Sequence, residues 1–344
     1  MIVFRADGNP VIGTGHVMRC LSLAKEMVKR GVRCQFIVAE NYLEKLIKQH
    51  GLSCVVLHAD YRAMERELQW WGEQVWHEPV EQIIVDSYFV TQYYLAELRR
   101  LCKTVYIDDL MENAYPVDTL INYNIYSYQA QYEKLYQGKG IKTPIFLLGP
   151  GYAPLREEFD NIPARKTTKK VQNILISTGG ADLENLAMQI LQQLKKSIVL
   201  QEVCFHVIVG TLNPHKEELK EFSEENPRVI LHFDVSAMAE LMRSCDIAVS
   251  AAGSTLYELC ACGVPTVTYI SADNQVLGAE AFHEQGLIYN AGDGRKDLRG
   301  CLNRIVKQIE MLVEAPEICD MLAQKQKALI NGSGTQRLVQ ALLS

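Results

Sequence analysis

No stretch of this 344-residue chain approaches the roughly 20 apolar residues needed to span a bilayer, so no membrane association is expected. No Cys-x-x-Cys pair occurs. The ten cysteines are scattered, several within apolar segments (Cys34, Cys54, Cys204, Cys245), which excludes a disulfide framework. Cys260 and Cys262 stand two apart on a predicted helix, a spacing that suits packing better than metal binding. Positive charge is not in excess: 35 Lys and Arg against 41 Asp and Glu give a net charge of −6, which argues against broad nucleic-acid binding. The chain opens directly on a strand, and the expectation is a reduced, cytoplasmic protein without a signal peptide.

Two phosphate-binding signatures are also missing. Gly13-Thr14-Gly15 begins like a dinucleotide fingerprint, but Met18 stands where the third glycine belongs, and no Gly-Lys-Ser/Thr follows. No Asp-x-Asp pattern lies near a glycine loop, so neither a metal nor any other cofactor is expected.

What is present is a strand (2–6), a glycine loop and an amphipathic helix with Val17, Leu21, Ala24 and Val28 on one face and Gly31 at its end. A helix N-terminus after such a loop favours negative charge, because its free amides and its dipole point the same way. His16 stands at that end. The dipole there disfavours an imidazolium, so His16 reads as a general base; the plainer alternative is a capping or packing histidine. Asp7 reads as the partner that orients His16 or a water, or as a turn residue.

Strand and helix candidates alternate through the first half, with strands at 33–39, 53–57, 82–86 and 104–107, which predicts a parallel sheet. The tyrosine-rich stretch 120–146 gives no regular pattern. Gly149-Pro150-Gly151, Pro154, Pro163 and the basic run 165–170 predict an interdomain connection with a solvated charge run. Alternation restarts with a strand at 173–177, the loop Thr178-Gly179-Gly180-Ala181 and a helix over 182–194. Further strands fall at 203–209, 229–232, 247–250 and 266–270, and the end is helical from 297, broken by Pro316 and 332–334. The division expected is 1–150, a linker at 151–170, a nucleotide-binding domain at 171–295 and a helical extension at 296–344. Ligands of open α/β sheets sit beyond the carboxyl ends of the strands. The architecture expected is therefore α/β, two Rossmann-type domains whose parallel sheets face each other across a cleft.

A second small-residue turn, Ser250-Ala251-Ala252-Gly253-Ser254-Thr255, precedes Glu258 by one helical turn. Diphosphate on the amides of Gly253 to Thr255 and ribose hydroxyls on Glu258 fit this spacing. The alternative is an ordinary helix start capped by Ser254. Further on, Asn274 and Gln275 read as sugar-contacting amides, or as exposed residues after an Asp273 cap.

Phe4-Arg5-Ala6-Asp7, Gly13-Thr14-Gly15-His16-Val17-Met18-Arg19-Cys20-Leu21, Pro154-Leu155-Arg156-Glu157-Glu158-Phe159, Ser177-Thr178-Gly179-Gly180-Ala181-Asp182 and the run from Ser250 to Pro265 carry a resemblance. Over nearly its whole length the chain resembles the UDP-sugar hydrolases of the pseudaminic acid pathway, a family similar in fold to GT-B glycosyltransferases. Relatives of this length are described as spore-coat or surface polysaccharide biosynthesis proteins. The resemblance implies cleavage of UDP-2,4-diacetamido-2,4,6-trideoxy-β-L-altropyranose to UDP and free sugar. It implies His16 as catalytic base and Arg156 and Asn274 as substrate contacts, with a UDP-sugar as the partner and no protein partner. A GT-B glycosyltransferase, a UDP-sugar 2-epimerase and a nucleotide-sugar binding protein without turnover remain the alternatives.

Overall fold

The computed structural model describes residues 1–74, 76, 78–163 and 170–344; most of the basic run lies outside these. The chain forms two compact units, one of residues 1–156 with 333–344 and one of residues 157–332.

The first unit holds a seven-stranded parallel sheet: β1 (Ile2–Ala6), β2 (Cys34–Val38), β3 (Ser53–Val56), β4 (Gln82–Asp86), β5 (Lys103–Ile107), β6 (Thr119–Asn122) and β7 (Ile145–Leu148). Their order is β3-β2-β1-β4-β5-β6-β7. The direction of winding reverses between β1 and β4, which pair from Ile2 with Gln82 to Ala6 with Asp86. β1 and β4 are buried along their whole length, as expected of central strands covered on both faces. The irregular stretch 120–146 resolves into β6, the helix Gln129–Tyr136 and β7. Its Tyr132 and Tyr136 are buried in the core with Leu120 and Val117.

The second unit repeats the plan with β8 (Asn173–Ser177), β9 (Cys204–Val209), β10 (Val229–Phe233), β11 (Ile247–Ala251), β12 (Thr266–Ile270) and β13 (Tyr289–Asp293). Their order, β10-β9-β8-β11-β12-β13, reverses between β8 and β11. The expected helix over 182–194 starts later, at Leu186. Asp182 adopts positive φ and accepts from the Leu186 and Ala187 amides at 2.8 and 3.1 Å, capping the helix instead of beginning it.

The helical end is shared between the units. The helices Leu298–Glu314 and Pro316–Leu329 belong to the second, where buried Gln326 donates to the Val264 and Leu287 carbonyls. The helix Gly334–Leu343 belongs to the first. There Thr335 donates to the Leu155 carbonyl at 2.5 Å and Arg337 to that of Gly151 at 2.6 Å.

Candidate active site

Leaving β1, the chain turns through Asp7 to Gly15 in a loop whose shape its own residues dictate. A Cβ at Gly8 would stand 2.3 Å from Leu43 Cδ1 and 3.1 Å from the Gly13 carbonyl oxygen, so a larger residue there would have to push the Leu43 side chain aside. Asn9 and Gly13 exchange backbone hydrogen bonds at 3.2 and 2.8 Å. The Asn9 side chain accepts from the Val11 and Ile12 amides and donates to Glu40. Gly13 supplies the positive φ that closes the loop, and the helix Gly15–Lys29 begins two residues later. Its cap position, Thr14, makes no side-chain capping bond, and its first turn carries no acidic residue.

His16, in that first turn, is 5% exposed. Its Nδ1 lies 2.6 Å from Asp86 Oδ1 at the carboxyl end of β4, and Tyr88 meets the ring edge-on at 4.5 Å between centroids. Arg19, one turn along the same helix face, binds both oxygens of Asp86 at 2.5 Å. It also reaches Asp109, after β5, and Tyr123, after β6. Burial alone would raise the Asp86 pKa, but the Arg19 guanidinium and His16 together hold it well below the usual carboxylate range. Asp86 is therefore an anion fixed against Nδ1, and an imidazole that donates its Nδ1–H to Asp86 leaves Nε2 as the free ring nitrogen. A histidine so oriented has the geometry a general base requires.

The carboxylate on His16 is thus Asp86 and not Asp7, which the sequence offered either as that partner or as a turn residue. Asp7 pairs with the fully buried Arg5 at 2.5 Å and accepts from the Ala39 amide at 2.7 Å. Arg5 in turn makes two bonds to Glu67, at 2.8 and 2.5 Å. Asp7 anchors the loop from beneath. The sequence offered one signal for Asp86, a charged residue ending an otherwise apolar central strand. Tyr88, Asp109 and Tyr123 had none, and Arg19 was visible only as part of the opening motif.

In the second unit the two glycine turns also follow the strands at which the order reverses. Gly179 takes positive φ after β8. Gly180 packs backbone-to-backbone against Gly210, where a Cβ would stand 2.2 Å from the Gly180 oxygen. After β11, the Gly253 amide donates to the Ala251 carbonyl at 2.8 Å. Ser254 is exposed and makes no side-chain capping bond to the helix Thr255–Cys262, contrary to the capping role the sequence suggested. Ser250 is buried within β11, its hydroxyl donating to the Ala251 carbonyl. Glu258 is half-buried in the first turn of that helix. Gln275 closes its own turn, its Oε1 accepting from the Ser271 amide and hydroxyl at 2.8 and 3.1 Å. Asp273 does not cap; it pairs with Arg295 at 2.5 Å. Asn274 lies in the same turn, and Arg156 is the half-buried last residue of the first unit's main segment.

Each unit therefore places its glycine loops at the point where its sheet changes direction, the position at which open α/β sheets bind ligands. By fold the chain is a GT-B-like protein of two Rossmann-type units. Residues 173–338 match the glycosyltransferase family 28 C-terminal domain. The chain is similar to a UDP-2,4-diacetamido-2,4,6-trideoxy-beta-L-altropyranose hydrolase of Campylobacter jejuni, at 26% identity over 75% of this chain and 86% of that protein. It is also similar to a Helicobacter pylori protein described as a pseudaminic acid cytidylyltransferase and hydrolase of the same sugar nucleotide, at 27% identity over 80% of this chain. The match covers 45% of that relative, and three of the four curated relatives are matched over about half their length. Among solved structures it superposes on Acinetobacter baumannii MurG with a TM-score of 0.65 at 15% identity, over 99% of both chains. Among the described residues no helix is long and apolar enough to cross a membrane.

Proposed function

We propose that the chain hydrolyses a UDP-linked diacetamido-trideoxy sugar, UDP-2,4-diacetamido-2,4,6-trideoxy-β-L-altropyranose or a close relative, in surface-glycan biosynthesis. The observation that carries this reading is the buried His16–Asp86 pair at the carboxyl edge of the first sheet. The activities named for the two bacterial relatives support the substrate class.

In the proposed reaction His16 Nε2 takes a proton from a water whose oxygen attacks the anomeric carbon opposite the phosphate. The bond from that carbon to the phosphate oxygen breaks, UDP leaves with the electron pair, and the sugar emerges inverted. The imidazolium that forms faces ionised Asp86, so the charge develops beside its counter-ion, and its proton returns to solvent. The second unit would hold UDP, with the Gly179-Gly180 loop and the Ser254 and Thr255 amides toward the diphosphate and Glu258 toward the ribose. The Gly253 amide, which donates to the Ala251 carbonyl at 2.8 Å, would have to give up that bond to join them. Arg156 and Asn274 would contact substrate. Backbone amides and helix termini would stabilise the leaving diphosphate without a metal.

The test is an NMR time course of the sugar nucleotide with enzyme and no acceptor. Release of UDP and of free sugar with inverted anomeric configuration is expected. A substrate that binds and stays intact until an acceptor alcohol is added would instead make the chain a transferase, and a changed sugar still linked to UDP an epimerase.

A further inference from the structure

We infer that Arg19 is a positioning residue for the His16 base, holding the Asp86 carboxylate in register with the imidazole by tying it to the ends of two neighbouring strands. The inference rests on the hydrolase reading and names a part of its machinery.

A guanidinium has five N–H donors in one plane, and all five are engaged here. Nε donates to Asp86 Oδ2 at 2.5 Å. Nη2 donates to Asp86 Oδ1 at 2.5 Å and to Asp109 Oδ2 at 2.8 Å. Nη1 donates to Asp109 Oδ1 at 3.0 Å and to the Tyr123 hydroxyl at 2.8 Å. One side chain thus makes two bidentate pairs on adjacent edges of its fork, a geometry that an ammonium group cannot reproduce. Asp86 ends β4, Asp109 follows β5 and Tyr123 follows β6, so the fork spans three consecutive strand ends. Asp109 is anchored in turn, its side chain by Asn124 and its carbonyl by the Tyr126 hydroxyl.

The same five bonds fix the role of a further contact. Arg19 Nη2 also lies 3.2 Å from His16 Nδ1, but both of its hydrogens point at carboxylates. The proton between His16 and Asp86 therefore belongs to Nδ1, the tautomer that leaves Nε2 basic. Without Arg19, Asp86 loses both the main positive charge that offsets its burial and the bonds that fix its plane, and the imidazole loses its aim. Misplacement of a catalytic group by about 1 Å costs on the order of 100-fold in rate.

The experiment compares Arg19→Met and Arg19→Lys with wild type by two readouts. Long-range 1H–15N NMR of substrate-free protein reports which His16 nitrogen carries the proton, and steady-state kinetics separate kcat from KM. For Arg19→Met we expect mixed His16 tautomers and a kcat about 100-fold lower, with KM within about threefold of wild type. For Arg19→Lys, which keeps the charge but not the fork, we expect a kcat still more than about tenfold below wild type. A folded Arg19→Met protein with the wild-type tautomer overturns the inference, as does Arg19→Lys with wild-type kcat. If Arg19→Met does not fold, Arg19→Lys decides by both readouts. If wild type hydrolyses no UDP-sugar, the hydrolase reading fails, while the tautomer measurement still decides what Arg19 does to His16.

Discussion

Asp86 Oδ1 and His16 Nδ1 meet at 2.6 Å across the seam between β1 and β4, where the strand order of the first sheet reverses. The pair joins the first turn of the helix after one central strand to the last residue of the other. If His16 is the base and Asp86 its orienting anion, their removal affects rate and not binding. His16→Asn is expected to abolish measurable hydrolysis while UDP still binds. Asp86→Asn, which keeps the shape but removes the charge beside the imidazolium, is expected to lower kcat on the order of 10,000-fold. Steady-state kinetics with calorimetric UDP binding checks both; an Asp86→Asn enzyme within threefold of wild type would remove the dyad from the mechanism.

Asp86 also links stability to pH. Its folded-state pKa is depressed because Arg19 and His16 outweigh the burial that would raise it. A depressed carboxylate stabilises the fold fully above its unfolded value of about 3.9, and that contribution fades as pH falls below it toward the folded value. Urea melts should therefore show wild type losing more stability between pH 6 and pH 3 than Asp86→Asn. Equal losses would show that the dyad contributes nothing to acid stability.

Much of this was legible in the sequence, and the failures have physical causes. The opening loop and His16 stood out because glycines at fixed offsets and a helical period are local signals. Asp86 did not, because it lies 70 residues from His16 and reaches it only through the parallel register that sets Ala6 beside Asp86. Asp7 was the nearer carboxylate in sequence, but the buried Arg5 claims it. β13 was missed because Tyr-Asn-Ala-Gly-Asp has no β-branched residue, and it pairs with β12 through an irregular register at the sheet edge. The stretch 120–146 concealed two strands because tyrosines serve as its core residues, Tyr132 anchoring its hydroxyl on Asp108 at 2.7 Å.

The anchor beneath the first glycine loop yields a stability prediction. Arg5 is fully buried between Asp7 and Glu67, and Tyr94 donates to Glu67 at 3.2 Å. Breaking a buried ion pair from one side leaves uncompensated charge and costs about 3–5 kcal/mol. Glu67→Gln keeps the volume and should lose about 3 kcal/mol in urea unfolding. A change under about 0.5 kcal/mol, the range of an ordinary surface substitution, would show the charge at Glu67 to be dispensable.

Because amides and helix termini are assigned to the leaving diphosphate, the proposed reaction needs no cation. Hydrolysis is expected at the wild-type rate after EDTA treatment and desalting. Loss of activity that magnesium or manganese restores would replace the amide-based picture with a metal-assisted one.

The two glycine loops differ in what surrounds them, and that difference separates folding from function. A Cβ at Gly15 would meet nothing within 4 Å, and its backbone is not in the left-handed region, so alanine fits there without strain. In the first turn of a helix alanine is also the better helix former, by up to about 1 kcal/mol. Gly15→Ala should therefore melt at or slightly above the wild-type temperature. Its methyl group would nonetheless fill the space beside the loop amides, and KM should rise several-fold if substrate approaches there. Gly210→Ala is the converse case. Its Cβ would fall 2.2 Å from the Gly180 carbonyl oxygen, a backbone atom that moves only if the Gly179-Gly180 loop moves. That variant should lose stability and UDP affinity together, whereas Gly15→Ala should lose only apparent affinity for the sugar nucleotide. Thermal melts paired with UDP titrations distinguish the two. A Gly15→Ala enzyme with unchanged KM would place the substrate away from the first loop and leave His16 without a reaction to catalyse.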